Sequence, residues 1–379
     1  MRVLQSPLKG GESQGQSSLT LKSTGERPAG SAHPGTERAT DGESFVCQFI
    51  VDIVQGGTYF AAMNGDDFKP LRWASFEVTL RAEGHLRLPP YKGSVLRGAF
   101  GATFKRLVCV MPHRNCDICL LRQQCVYAVD FETPVQTAGG KKTYAPHPFV
   151  LEPPPEVRTD YVPEETLTFG LTLIGRAIEH LPYFIYTFEE MGQAGIGRGR
   201  GACRIDEVRH MGADGARTAI YDGAAKQLVT SWSAASGADL DGEGDASSVT
   251  LDFLTPTRLK VRNDLLIDLD FAILIRALLR RVSALAEHHC GGKADLDYQG
   301  LVSRAKAVRT ARRDLRWHDW ERYSARQKTT MKLGGFVGRI TFEGDIGEFL
   351  PLLRAGEQLH VGKGTAFGLG TYKISGSDT

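Results

Sequence analysis

The sequence predicts an α+β protein made of two tandem βαββαβ units, the ferredoxin-like arrangement. Three observations predict it. Two glycine-rich segments, Gly195–Gly201 and Gly362–Gly370, each follow a predicted helix and lead into a strand-like stretch. A strand–helix–strand–helix order precedes each of them. The 379 residues, 41% of them hydrophobic, suffice for two modest cores rather than one.

Residues 1–62 open the chain, and to about residue 44 they are rich in Gly, Ser, Thr, Glu and Pro. Such a composition buries too little apolar surface to offset ordering entropy, so this extension reads as disordered or as a mis-assigned translation start ahead of Met63. The first domain is read over 63–210. Leu71 to Leu80 alternates apolar and polar residues, as a half-buried strand does. Pro89 to Ser94 reads as a turn with Ser94 as helix N-cap. Val95, Leu96, Ala99, Phe100, Phe104 and Leu107 then follow at helical spacing. Residues 109–160 read as an irregular insertion, Leu167–Ile174 as a strand and 178–192 as a helix. Residues 211–248, dominated by Ala, Gly, Asp and Ser, read as a linker or long loop.

The pattern repeats over 249–379. Val249–Leu254 is a predicted strand and Phe271–His288 an amphipathic helix. The basic stretch 307–328 reads as a long strand or hairpin arm. Gly335–Phe342 is a further strand, Gly347–Leu353 a short helix, and the second glycine-rich segment closes the unit.

A net charge of +2 says little, because the cations are unevenly placed. Between Lys306 and Arg339 they crowd around Trp317, Trp320 and Tyr323, a mixture suited to phosphates and stacked bases. No apolar run approaches the roughly 20 residues of a membrane span, and no secretory signal stands at the N-terminus, so a cytoplasmic location is expected. Four of the seven cysteines fall in one short stretch, Cys109, Cys116, Cys119 and Cys125. That spacing suits a structural zinc that pins the insertion, an iron–sulfur cluster being the less favoured metal, and His113 could replace one thiolate. Cys47, Cys203 and Cys290 read as ordinary residues.

Glycines at alternate positions let a phosphate backbone approach the peptide N–H groups. Arg198 and Arg200 in one segment, and Lys363 among Gly362, Gly364, Gly368 and Gly370 in the other, supply opposite charge. Neither segment is a Walker A loop, and the formal G-x-G-x-x-A at Gly197 stands after a helix and before a strand, the reverse of a dinucleotide fingerprint. Ser94 and Arg97 at the first helix N-terminus suit a phosphate. The remaining histidines are scattered, and His360 stands out for its place directly before the second segment. No Ser/His/Asp grouping and no two-metal carboxylate cluster appears, which argues against a hydrolase triad or a metal-dependent nuclease.

The run YKGSVLRGAFGATFKRL, the four-cysteine insertion after it, HPFVLEPP at 147–154, GIGRGRG, FLTPTRLK at 253–260 and the terminal HVGKGTAFGLG together resemble one family. It is the CRISPR-associated RAMP endoribonucleases that process precursor CRISPR RNA, and the resemblance spans about residues 70–376. It implies tandem ferredoxin-like (RRM-like) RAMP domains and a metal-independent cleavage of CRISPR repeat RNA by 2′-hydroxyl attack, leaving a 2′,3′-cyclic phosphate. No cofactor is implied for catalysis. CRISPR repeat RNA is the implied partner, with effector complex subunits beside it.

Where relatives carry a histidine in the first helix, Ser94 to Leu107 has none. The expectation is therefore His360 or Tyr91 as base, with Lys92 or Lys363 stabilising charge. The expected RNA contacts are Ser94, Arg97, Arg198, Arg200, Arg258, Arg326, Lys328 and the glycines of the second segment. Two alternatives stand beside this reading: a non-catalytic RAMP subunit gripping guide RNA in an effector complex, and a nucleic-acid-binding protein outside CRISPR systems.

Overall fold

The computed structural model describes residues 65–375, apart from the short stretches 112–114, 137–141, 241–245, 262–263, 267, 320 and 325–328. The N-terminal extension, His113, Trp320, Arg326 and Lys328 lie outside the described residues.

The first module runs β1 (Arg72–Ala82), α1 (Gly93–Val108), β2 (Phe149–Glu152), β3 (Thr166–Ile174), α2 (Leu181–Ala194) and β4 (Cys203–Met211). Its ladder order is β4-β1-β3-β2, every pair antiparallel. Counted along the chain that is 4-1-3-2, the ferredoxin-like order. Val78 on the central strand faces Phe169 on one side and Val208 on the other. The period-2 pattern therefore puts one row of branched and aromatic side chains against the helices.

Phe100 of α1 sits among Phe104, Phe131, Phe149, Phe184 and Phe188, with ring centroids 4.8–6.3 Å away. Each such ring, fully buried, stabilises by about 2–3 kcal/mol.

Two expectations need correction here. Residues 109–160 are not all insertion, because Phe149–Glu152 is the second core strand; at four residues with the pattern BBBi it is too short to show alternation. Residues 211–248 are not a linker. They continue the sheet with β5 (Arg217–Asp222), β6 (Gln227–Leu228) and β7 (Ala235–Ser236), the last pairing with the start of β1.

The second module runs β8 (Ser248–Thr257), α3 (Phe271–His289), β9 (Arg309–His318), β10 (Glu321–Ser324), β11 (Thr329–Lys332), β12 (Gly335–Glu343), α4 (Leu350–Leu359) and β13 (Tyr372–Ser375). Its order, β9-β12-β8-β13, repeats the ferredoxin-like topology. Leu251 faces Ile340 and Ile374 across the two ladders. The basic segment forms the expected arm: β9 pairs with β12, and β10 pairs with β11 beyond them. Two hydrophobic clusters form, one centred on each module, and that of the second takes in Trp73 and Ile174 from the ends of β1 and β3. Ala366, from the second glycine-rich segment, belongs to the cluster of the first module.

No helix among the described residues is long and apolar enough to cross a membrane.

Candidate functional site at the seam between the modules

The second glycine-rich segment is the hinge of the site. Gly362, Gly364, Gly368 and Gly370 all have φ between 77° and 89°, a conformation open to glycine at little cost. Their surroundings are protein. A Cβ on Gly370 would lie 1.8 Å from the Val361 carbonyl oxygen, and one on Gly368 would lie 2.3 Å from Pro153 Cδ. Across the seam, a Cβ on Gly93 at the start of α1 would lie 2.1 Å from the Phe367 carbonyl oxygen. Gly93 and Gly368 serve close packing of one module on the other, and Gly370 serves the packing of the segment on itself.

Hydrogen bonds fasten the same contact. Tyr91 donates its hydroxyl to the Phe367 carbonyl at 2.7 Å. Within the second module, Thr255 and Thr371 both donate to the Gly368 carbonyl, at 2.8 and 3.0 Å, and hold the segment that makes the contact. The Arg97 guanidinium lies between the rings of Phe131 and Phe367, 4.9 and 5.0 Å from their centroids.

His360 caps α4 with φ 61° and ψ 168°, a conformation nearly confined to glycine. It is fully buried. Its Nε2 stands 3.2 Å from Glu152 Oε1 of the first module, and its Nδ1 stands 3.2 Å from Thr371 Oγ1. Burial works to raise the Glu152 pKa, but the charge and hydrogen bond of His360, aided by Lys373, hold it below the usual carboxylate value.

The expected catalytic residues thus separate. Lys363 is exposed on the loop. Lys92 is fully buried, its Nζ donating to the carbonyls of Glu156 (2.8 Å) and Pro90 (3.3 Å), and burial lowers its pKa. Burial also pushes the Tyr91 hydroxyl well up. Lys92, not Ser94, is the N-cap of α1, and its side chain makes no cap bond. Ser94 lies inside the first turn, because Gly93 packs on Phe367 and the helix starts there.

The first glycine-rich segment is open. Arg198, Gly199 and Arg200 are exposed, and a Cβ on Gly199 would meet nothing within 4 Å. The segment is anchored only at its base, where the Arg198 N–H donates to the Arg87 carbonyl at 2.8 Å and Ile196 bridges to Gly201. Arg258 is half-buried beside the other segment, its carbonyl accepting from the Lys363 N–H, and burial lowers its pKa. On the outer face of the second sheet, Asp252, Leu254, Asp314, Arg316, Arg339 and Lys373 line a groove of about 710 Å³.

Sequence reasoning missed a histidine grouping. His180 Nδ1 lies 3.0 Å from the buried carboxylate of Asp130, an arrangement that fixes an imidazole. His147 leans on the Asp130 backbone and stands 3.4 Å from the Arg97 guanidinium. His289 Nε2 bonds the neighbouring Pro146 carbonyl at 2.8 Å. These three are more than 140 residues apart at their extremes, so nothing in the linear spacing announced them.

The cysteines stand as free thiols. Burial, with a small contribution from the neighbouring Cys125, raises the Cys116 thiol pKa, while Cys109 turns its thiol to the Met111 carbonyl at 3.9 Å. Among the described residues no three His, Cys, Asp or Glu side chains are grouped so as to hold a metal ion.

Comparison with known proteins bears on both modules. A family model described as an N-terminal domain matches residues 71–233. The model of the CRISPR-associated endoribonuclease Cas6 matches residues 251–372. An uncharacterized protein of Archaeoglobus fulgidus is 23% identical over 295 residues, covering 76% of this chain and 92% of its own. Among solved structures, Thermus thermophilus Cas6 has a TM-score of 0.49 at 18% identity, covering 80% of this chain and 99% of that one. A RAMP protein binding different RNA substrates has a TM-score of 0.40 at 10% identity, with the same coverages.

Proposed function

With residues 251–372 forming a module of the CRISPR-associated endoribonuclease Cas6 family, we propose that this chain cleaves CRISPR repeat RNA within precursor transcripts to release guide RNAs. The observation that carries the reading is that family match, set on a second βαββαβ unit completed by the glycine-rich segment. The chemistry we propose is metal-independent attack by the RNA's own 2′-hydroxyl, giving a 2′,3′-cyclic phosphate and a 5′-hydroxyl. Such a reaction needs in-line geometry, a base, an acid and stabilisation of the phosphorane.

Lys363, exposed on a segment fixed at both flanks, is the cation we assign to phosphorane charge. His180, oriented by Asp130, is better disposed for proton transfer than His360 or Tyr91, whose polar atoms are engaged within the seam. Those two support the reaction by holding the loop in place, and the strained backbone at His360 supports such a positioning role. Arg198, Arg200, Arg316 and the basic arm supply phosphate contacts. We also propose that the cysteine insertion closes on zinc as a structural clip; elemental analysis of fresh protein without zinc would remove that clip.

The test is labelled repeat RNA incubated in EDTA, beside a substrate with a 2′-deoxy sugar at the cut site. Cleavage of the first and none of the second is expected. Cleavage of the 2′-deoxy substrate would overturn the mechanism. Binding of both without any cut would favour a guide-RNA-binding RAMP subunit, a reading that the inward-facing His360, Tyr91 and Lys92 favour.

A further inference from the structure

Beside the glycine-rich hinge, the seam contains a buried cluster of cationic and imidazole groups that the cleavage reading leaves unused. Arg281 of α3 is 8% exposed. Its Nε donates to the Leu359 carbonyl at 2.7 Å, but its Nη2 is buried with no hydrogen-bond partner. No acidic side chain pairs with it among the described residues, and burial alone lowers its pKa to about 9. Two turns on, His289 is 3% exposed. Its Nε2 is taken by the Pro146 carbonyl, and its Nδ1 is buried and unpartnered. His147, next to Pro146, feels the positive charge of Arg97, Arg281 and His289 together. His289 in turn feels the charge of Arg176, His288 and Arg281.

A buried guanidinium without a carboxylate is costly, and a buried polar atom left unbonded costs about 1–3 kcal/mol. Natural interiors remove both costs with a counter-ion that accepts hydrogen bonds. Hydrophobic packing cannot do so. The groups present are donors or protonatable nitrogens, and they come from both modules. An oxyanion fits that set: it accepts from Nη2, and it favours a proton on His289 Nδ1, turning that nitrogen into a donor.

We propose that Arg281 and His289, with His147 and Arg97 beside them, form an oxyanion site between the two modules that takes a phosphate group. The phosphate is either a phosphodiester of bound RNA or a free inorganic ion. Only the first of these rests on the RNA-cleaving reading, so failure of that reading leaves the site itself testable.

The experiment is thermal denaturation of the full chain with inorganic phosphate against chloride at matched ionic strength. Phosphate is expected to raise the transition temperature by several degrees, saturating as one site fills. Arg281→Met and His289→Gln should each abolish the rise. Should Arg281→Met fail to fold, His289→Gln carries the test, with phosphorus NMR line-broadening on the unaltered protein as the direct readout of binding. Equal transition temperatures in phosphate and chloride, or an undiminished rise in His289→Gln, would overturn the site. A final arm repeats the titration with saturating non-cleavable repeat RNA. Loss of the phosphate response assigns the occupant to the RNA backbone, and an additive response assigns it to the free ion.

Discussion

The two glycine-rich segments read alike in the sequence and differ in the fold. Gly195–Gly201 presents Arg198 and Arg200 to solvent and touches the protein only at its base. Gly362–Gly370 is clamped: Ala366 enters the first module's core, Phe367 covers Arg97, and His360 reaches Glu152 across the seam. The comparison teaches that a glycine-cation pattern records backbone conformation, not its cause. Of these positive-φ glycines, Gly199 opens on solvent and Gly368 makes room for the neighbouring module, while Gly195, Gly197, Gly362, Gly364 and Gly370 make room for atoms of their own module.

That contrast can be broken most sharply by adding a methyl group. Gly370→Ala puts a Cβ 1.8 Å from the Val361 carbonyl at φ 77°, so a loss on the order of 3 kcal/mol or more is expected in urea denaturation. A mild effect would mean that the segment is folded on itself more loosely than described. Next comes the open segment's charge. Arg198→Ala with Arg200→Ala should leave stability within about 0.5 kcal/mol. The same pair should weaken binding of single-stranded repeat RNA and flatten its log-affinity against log-salt slope by about 1.4, some 0.7 per lost phosphate contact. An unchanged slope would remove these two residues from the RNA path.

The ion pair across the seam gives a smaller, pH-dependent effect. Glu152 has a folded-state pKa below its ordinary 4.5, so its contribution is present above that value and is lost as pH falls through the depressed one. Glu152→Gln should therefore cost about 1–2 kcal/mol at neutral pH, with the gap to the unaltered protein closing below about pH 4.5. A gap that is flat with pH would mean that the carboxylate charge is not what holds His360. The smallest change in RNA binding is expected from Gly199→Ala. Its φ is 86° with open space around, so only backbone strain of about 1–2 kcal/mol applies, and RNA affinity should stay within about twofold. A cost equal to that of Gly370→Ala would erase the distinction between the segments.

Much of the fold was legible because its signals are local. β1, β3, α3 and β12 show their period in a single window, and the doubled order gave the tandem topology. The four-residue β2 and the paired β5–β7 strands were not legible: the first is buried over Phe149, Val150 and Leu151 in succession, and the others owe their strand state to an existing sheet edge. Within the site, Lys363 was read as an available cation and is exposed. Arg97, Lys92 and Tyr91 have the residue types that RNA contact requires but turn inward, since aromatic rings and backbone carbonyls, those of Phe367 across the seam among them, engage them first. The His147–His180–His289 grouping had no sequence signal, because its members meet only when α3 packs against the end of the insertion.

The sequence by itself determined the hydrophobic periodicity, the two βαββαβ units, the positions where the backbone must turn with positive φ, and the crowding of cations on the arm. These follow from properties each residue carries into any context: side-chain volume, charge, and the absence of a Cβ. Only the tertiary structure decided which glycine segment faces solvent, which cations are already spent on the protein's own carbonyls and rings, and which histidine a buried carboxylate orients. Those outcomes depend on distances between residues far apart in the chain, and packing one module against the other sets those distances.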